Sequence, residues 1–141
     1  MNKLNVKLLK AVKKAILEEP KRLDMNCGLA KSNLNICGTI GCIAGWAVIL
    51  DKRGKSRKPI KEILESLINN QNFVACRDWV TWDNLKPMAE KALGLTRIQA
   101  KMLFFDANWP EPFKREYWES PSVKSAEITV KRIDYFIKTR K

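Results

Sequence analysis

The run Cys37-Gly38-Thr39-Ile40-Gly41-Cys42-Ile43-Ala44-Gly45-Trp46 decides the fold. It packs three glycines, two cysteines and one threonine into ten residues, inside a stretch (32–50) that has no charged side chain. Elsewhere charge is abundant, at 30% of the 141 residues. Threonine suits a helix N-cap, because its hydroxyl accepts a backbone N–H that the first turn leaves unpaired. Thr39 is therefore expected to open a helix running to about Leu50. That helix is apolar on every side, which puts it at the centre of the protein. Gly41 and Gly45, four apart with Ala44 beside them, leave room for a second backbone to come close. Spacing of this kind is best known between membrane helices, so here it argues for tight packing only.

Working outward, Leu4, Leu8, Ala11, Val12, Ala15 and Ile16 recur at helical spacing opposite Lys7, Lys10, Lys13 and Lys14. This predicts an amphipathic first helix that stops at Glu19-Pro20, since the residue before proline leaves the helical region. Residues 21–36 read as loop, and 51–59 (DKRGKSRKP) as an exposed basic loop around Gly54. Pro59 starts a helix with Ile60, Ile63, Leu64, Leu67 and Ile68 inward, ending near Asn69-Asn70. Residues 73–82 fit a short helix or an extended piece. Asp83 is expected to cap a helix that ends at Leu93 and Gly94. Thr96 and Gln99 have capping-box spacing for the next helix, through Phe105. Residues 108–120 hold Trp109, Phe113, Tyr117 and Trp118 between prolines and read as a wrapping segment with one short helix. Pro121 begins the last helix, with Val123, Ala126, Val130, Ile133, Phe136 and Ile137 inside and Lys124, Lys131 and Lys138 outside. The expected fold is all-α: one domain over 1–141, six or seven helices around a buried central helix at about 39–50.

The net charge is +12, and 18 of the 27 basic residues fall in three blocks: seven in 1–22, six in 51–61 and five in 131–141. A field of that sign concentrates anions such as nucleotides, nucleic acid or acidic protein surfaces. The four cysteines (Cys27, Cys37, Cys42, Cys76) form no Cys-x-x-Cys pair, and the chain has no histidine. A zinc site is therefore not expected, and reduced, packed thiols in a cytoplasmic protein are. The N-terminus alternates Lys with Leu and Val, unlike a signal peptide, and the apolar run 40–50 is too short for a bilayer.

Three stretches together resemble a family of small uncharacterised proteins of bacteria and phages: the run 37–46, then Leu93-Gly94-Leu95-Thr96 with Gln99-Ala100 and Leu103-Phe104, then Trp109-Pro110 with Phe113. The shared features are a Cys-Gly-Thr-x-x-Cys-x-Ala-Gly core, a Leu-Gly-Leu helix and a Trp-Pro segment, covering roughly residues 23 to 137. The resemblance implies one domain centred on that core and a phage or mobile-element setting. It implies no activity and no catalytic residues.

The functional expectation is a non-enzymatic binding protein. Without histidine there is no imidazole to activate Cys37 or Cys42, and no paired carboxylates stand near them; no cofactor or metal is expected. The leading reading is capture of a phosphorylated signalling nucleotide, as in phage counter-defence. Backbone N–H groups around Gly38, Thr39 and Gly41 would hold phosphate at a helix start, Arg53 and Arg57 would supply charge, and Trp109 would stack on the base. An alternative is nucleic-acid binding through Lys52, Arg53, Lys55, Arg57, Lys58, Lys131, Tyr135 and Lys138. A third is an inhibitor or adaptor docking on a host protein. No pattern in the chain sets the oligomeric state.

Overall fold

The computed structural model describes residues 3–33, 38–71 and 78–141, the side chains of 122 and 123 excepted. Expectations for Cys37, Cys76, residues 73–77 and the Val123 side chain lie outside the described residues. Among the described residues 68% are helical, in seven α-helices and two 3-10 turns, beside one two-stranded sheet. In order these are α1 (Val6–Glu18), a 3-10 turn (Pro20–Arg22), β1 (Leu29–Lys31), β2 (Thr39–Gly41), α2 (Ile43–Ser56), α3 (Ile60–Asn69), α4 (Trp82–Leu93), α5 (Arg97–Phe104), a second 3-10 turn (Asp106–Asn108), α6 (Phe113–Glu119) and α7 (Ser122–Thr139).

The central helix is where its apolar composition puts it. Every residue from Ile43 to Ile49 is buried, and α2 packs on α1, α3, α4, α5 and both strands. Trp46 is fully enclosed. Its indole N–H donates to the Arg22 carbonyl at 2.8 Å, and the Arg22 guanidinium lies 5.6 Å above its ring. A buried indole needs such a partner for its single donor.

The start and end of α2 differ from the expectation. Thr39 does not cap the helix; it is a fully buried strand residue of β2, opposite Lys31 of antiparallel β1. Cys42 holds the N-cap position, with no side-chain cap hydrogen bond. Residues 29–31, read as loop, are the other strand. At the far end α2 does not stop near Leu50 but runs to Ser56, so the expected basic loop is mostly helix and includes Gly54. Arg57, at φ 58°, ends it in the left-handed region.

Local signals were reliable elsewhere. Pro59 precedes α3, whose buried residues are Ile60, Ile63, Leu64 and Ile68. Thr96 and Gln99 form the reciprocal capping box of α5. Gly94, at φ 70°, closes α4. The N-cap of α4 is Thr81, not Asp83, which sits in the first turn. Asn5 caps α1 by accepting the Leu8 N–H, and its backbone N–H donates to Leu93 at 2.8 Å, tying the start of α1 to the end of α4. On α7, Ala126, Ile133 and Phe136 are buried and Lys124, Lys131 and Lys138 are exposed, as the heptad-like row required.

Candidate functional site

The expected anion cradle at the start of α2 is closed by packing. Thr39 is 0% exposed and Cys42 2%. The Cys42 N–H donates to the Gly28 carbonyl at 3.2 Å, and the Cys42 thiol reaches the same oxygen at 3.5 Å. Gly41 and Gly45 are small because the Gly28 carbonyl lies against them: a Cβ would sit 3.0 Å from that oxygen at Gly41 and 2.0 Å at Gly45. The close backbone approach is thus real, but the approaching chain is the turn before β1, not a phosphate. Burial pushes the Cys42 thiol up to about 11 and raises that of Cys27, with the Asp24 charge adding to the latter. Both are poor nucleophiles at neutral pH.

Of the six residues expected to share one site, Thr39, Gly41 and Trp109 are enclosed, whereas Gly38, at φ 66°, stays half-buried with the Lys61 side chain beside it. Arg53 lies ten residues along α2 from Ile43, about 15 Å at helical rise, and Arg57 is farther still. Trp109 is 2% exposed, donates its indole N–H to the Leu103 carbonyl at 2.9 Å and packs edge-on against Tyr117 at 5.2 Å. Enclosed in this way, it offers no face for a base. Of the nucleic-acid set, Lys52, Arg53, Lys55, Arg57 and Lys58 cluster at the end of α2, whereas Lys131, Tyr135 and Lys138 belong to α7. Helix α1 packs on both α2 and α7 and so lies between the two groups. Tyr135 leans on Phe113, ring centroids 5.3 Å apart.

What the fold does assemble is a cleft of about 540 Å³ between the end of α2, α3 and α4. Lys52, Lys55 and Lys58 line one side, Ile63, Leu67 and Met88 form an apolar floor, and Ser56, Ser66, Asn70, Gln71 and Asn84 add polar groups. An adjoining hollow of about 360 Å³ shares Lys52, Lys55 and Met88 and adds Asp51 and Lys91. Lys55 is held by Asp51 at 3.3 Å. Among the described residues Lys52 and Lys58 have no ion-pair partner. Gln71 is spent on the scaffold, its carbonyl accepting the Thr81 N–H and its amide donating to Ile68 and Trp79 carbonyls. The basic end of α2 also offsets the partial negative charge of its own terminal carbonyls.

The sequence named the three lysines but missed the wall they face. Ser66 and Asn70, four apart on α3, were the available signal, and pairing them with Asn84 and Met88 required knowing that α3 and α4 flank α2. Among the described residues no cluster of metal-ligating side chains forms, and no helix is long and apolar enough to cross a membrane. No family model, curated protein or solved structure matches the chain.

Proposed function

We propose that this chain is a non-enzymatic binding protein that captures a phosphorylated small molecule, a nucleotide, in the α2–α3–α4 cleft. The observation that carries the reading is the convergence of Lys52, Lys55 and Lys58 on one side of a concavity with an apolar floor. Its volume falls in the range of small-ligand sites, roughly 300–1,000 Å³. Lysines at the rim neutralise phosphate, the Ile63–Leu67–Met88 floor takes the flat face of a base, and its polar edge meets the side-chain carbonyls of Asn70 and Asn84, whose amides donate to Ser66 and Thr81. The resemblance to phage and bacterial proteins makes a cytoplasmic signalling nucleotide the first class to test.

Isothermal titration against cyclic and linear nucleotides, with inorganic phosphate as reference, tests this. Micromolar binding of a nucleotide that drops at least tenfold in Lys52→Glu/Lys58→Glu supports it. Absence of heat across the panel overturns it.

A second reading, nucleic-acid binding, is favoured by one observation: Arg53 and Arg57 are exposed and continue the positive surface beyond the cleft. It predicts affinity falling with log salt at a slope of about −0.9 per duplex phosphate neutralised. A gel shift absent at low salt eliminates it.

A further inference from the structure

A second concavity, of about 380 Å³, is chemically opposite to the lysine cleft. Trp79, Trp82, Phe104 and Phe105 line it, with Cys27 and Leu29 among the residues behind them. Its construction is specific. Lys31 donates its N–H to the Asp78 carbonyl at 2.8 Å, and Val80 donates to Leu29 at 2.9 Å, so residues 78–80 are laid along β1. That pairing fixes Trp79 at the rim. Trp82 opens α4 and stands edge-on to Phe104 (centroids 6.1 Å) and Phe105 (5.2 Å). Trp79 is 49% exposed and Phe105 39%, so two large aromatic groups face water around one hollow. Burying such rings is strongly favourable, and leaving them exposed together at a concave site points to a ligand that covers them.

Charge indicates which ligand. None of the lining residues is Lys or Arg, in a chain of net charge +12. Instead every segment of the wall except Cys42 carries an aspartate next in sequence to a lining residue: Asp24 before Met25, Asp78 before Trp79, Asp83 after Trp82 and Asp106 after Phe105. These are four of the six aspartates in the protein. Among the described residues none of the four is in an ion pair. The Asp24 carboxylate accepts the Asn26 N–H at 2.9 Å, and its charge acts on Cys27 in the pocket wall.

We infer that this pocket binds an alkylated ammonium group. Aromatic faces attract a cation through their quadrupole, and the surrounding aspartates add a long-range field of the same preference. No carboxylate oxygen is itself part of the lining, so a small metal ion would lose its water shell without gaining ligands. A quaternary ammonium is weakly hydrated and fills the space with methyl groups. A phosphate would find no cation among the lining residues. The group has two sources, a free quaternary amine or a trimethylated lysine side chain of a peptide, and the chemistry is shared.

The test uses the full chain, 15N-labelled, with tryptophan indole N–H signals followed during titration. The probes are choline, a trimethyl-lysine peptide, the same peptide unmethylated, and 3,3-dimethyl-1-butanol, the uncharged counterpart of choline. The expected result is movement of the Trp79 and Trp82 signals with a cationic probe, with the neutral alcohol about tenfold weaker or worse. Trp79→Ala removes the binding and Trp79→Phe retains part of it; should the alanine variant not fold, the charged-to-neutral ratio on the unaltered protein decides alone. Methylated peptide tighter than choline assigns the side chain as source, and the reverse assigns the free amine. Equal binding of the neutral alcohol, or no indole movement with either cation, overturns the inference. Lys52→Glu/Lys58→Glu leaves this binding in place, which separates it from the nucleotide reading.

Discussion

Two glycines of the same helix respond oppositely to the same substitution. A Cβ on Gly45 would lie 2.0 Å from the Gly28 carbonyl oxygen, whereas one on Gly54 meets nothing within 4 Å. Gly45→Ala therefore has to push the β1 approach off α2 and is expected to cost about 3 kcal/mol or more in urea unfolding. Gly54→Ala gains helix propensity and is expected to stabilise by up to about 1 kcal/mol. Cys42 provides a second handle. Its thiol is pushed from 9.0 up to about 11 by burial, so the folded state holds the proton more tightly than the unfolded one. That contribution is fully present below pH 9 and is lost as pH rises to 11, amounting to about 2–3 kcal/mol over two pH units. Urea midpoints measured between pH 8 and 11 should fall, and Cys42→Ala should flatten the part of the fall due to this residue. Alkylation mapped by mass spectrometry at pH 8 should spare Cys42 until the protein unfolds.

At the scale of elements, what the sequence disclosed depended on range. The capping box of α5 was readable because Thr96 and Gln99 answer each other within one turn. Thr96→Ala should cost about 1 kcal/mol in thermal or urea unfolding. The α3 stripe and the Gly94 stop were readable for the same reason. The capping role expected of Thr39 gives way to partners distant in sequence: the ladder Leu29–Gly41, Ala30–Ile40, Lys31–Thr39 overrides a good capping residue. The basic stretch after Leu50 reads as loop because Gly54, Ser56 and five lysines and arginines look solvated. They are solvated, on a helix held by its buried first two turns. Trp109 was assigned to a ligand on residue type alone, and its burial depends on α5 and α6 closing over it. The lysines of the candidate cleft are legible; their apolar floor is not, because Ile63, Leu67 and Met88 look like ordinary core positions until α3 and α4 are both seen to pack on α2.

On the scale of the whole molecule, the excess of 12 positive charges makes the folded chain repel itself. Salt should relieve that repulsion: the melting temperature should rise between about 10 and 150 mM sodium chloride as the Debye length shortens from roughly 30 to 8 Å. Among the described residues the ion pairs that salt weakens include Lys13–Asp134 between α1 and α7, and pairs that keep part of their surface in water contribute little. A falling melting temperature would mean that attraction, not repulsion, governs the surface.

Helix α4 belongs to both hollows. Trp82 at its first residue forms a wall of the aromatic pocket, while Asn84 and Met88, on the following turns, face the lysine cleft. Were both proposed guests to bind, a tilt or stiffening that one imposed on this rod would reach the other. Thermodynamic reciprocity then fixes the outcome: whatever factor choline applies to nucleotide affinity, nucleotide must apply to choline. Titrating each in the presence of saturating amounts of the other should return the same factor twice, and a factor other than one would make this small protein a two-input device.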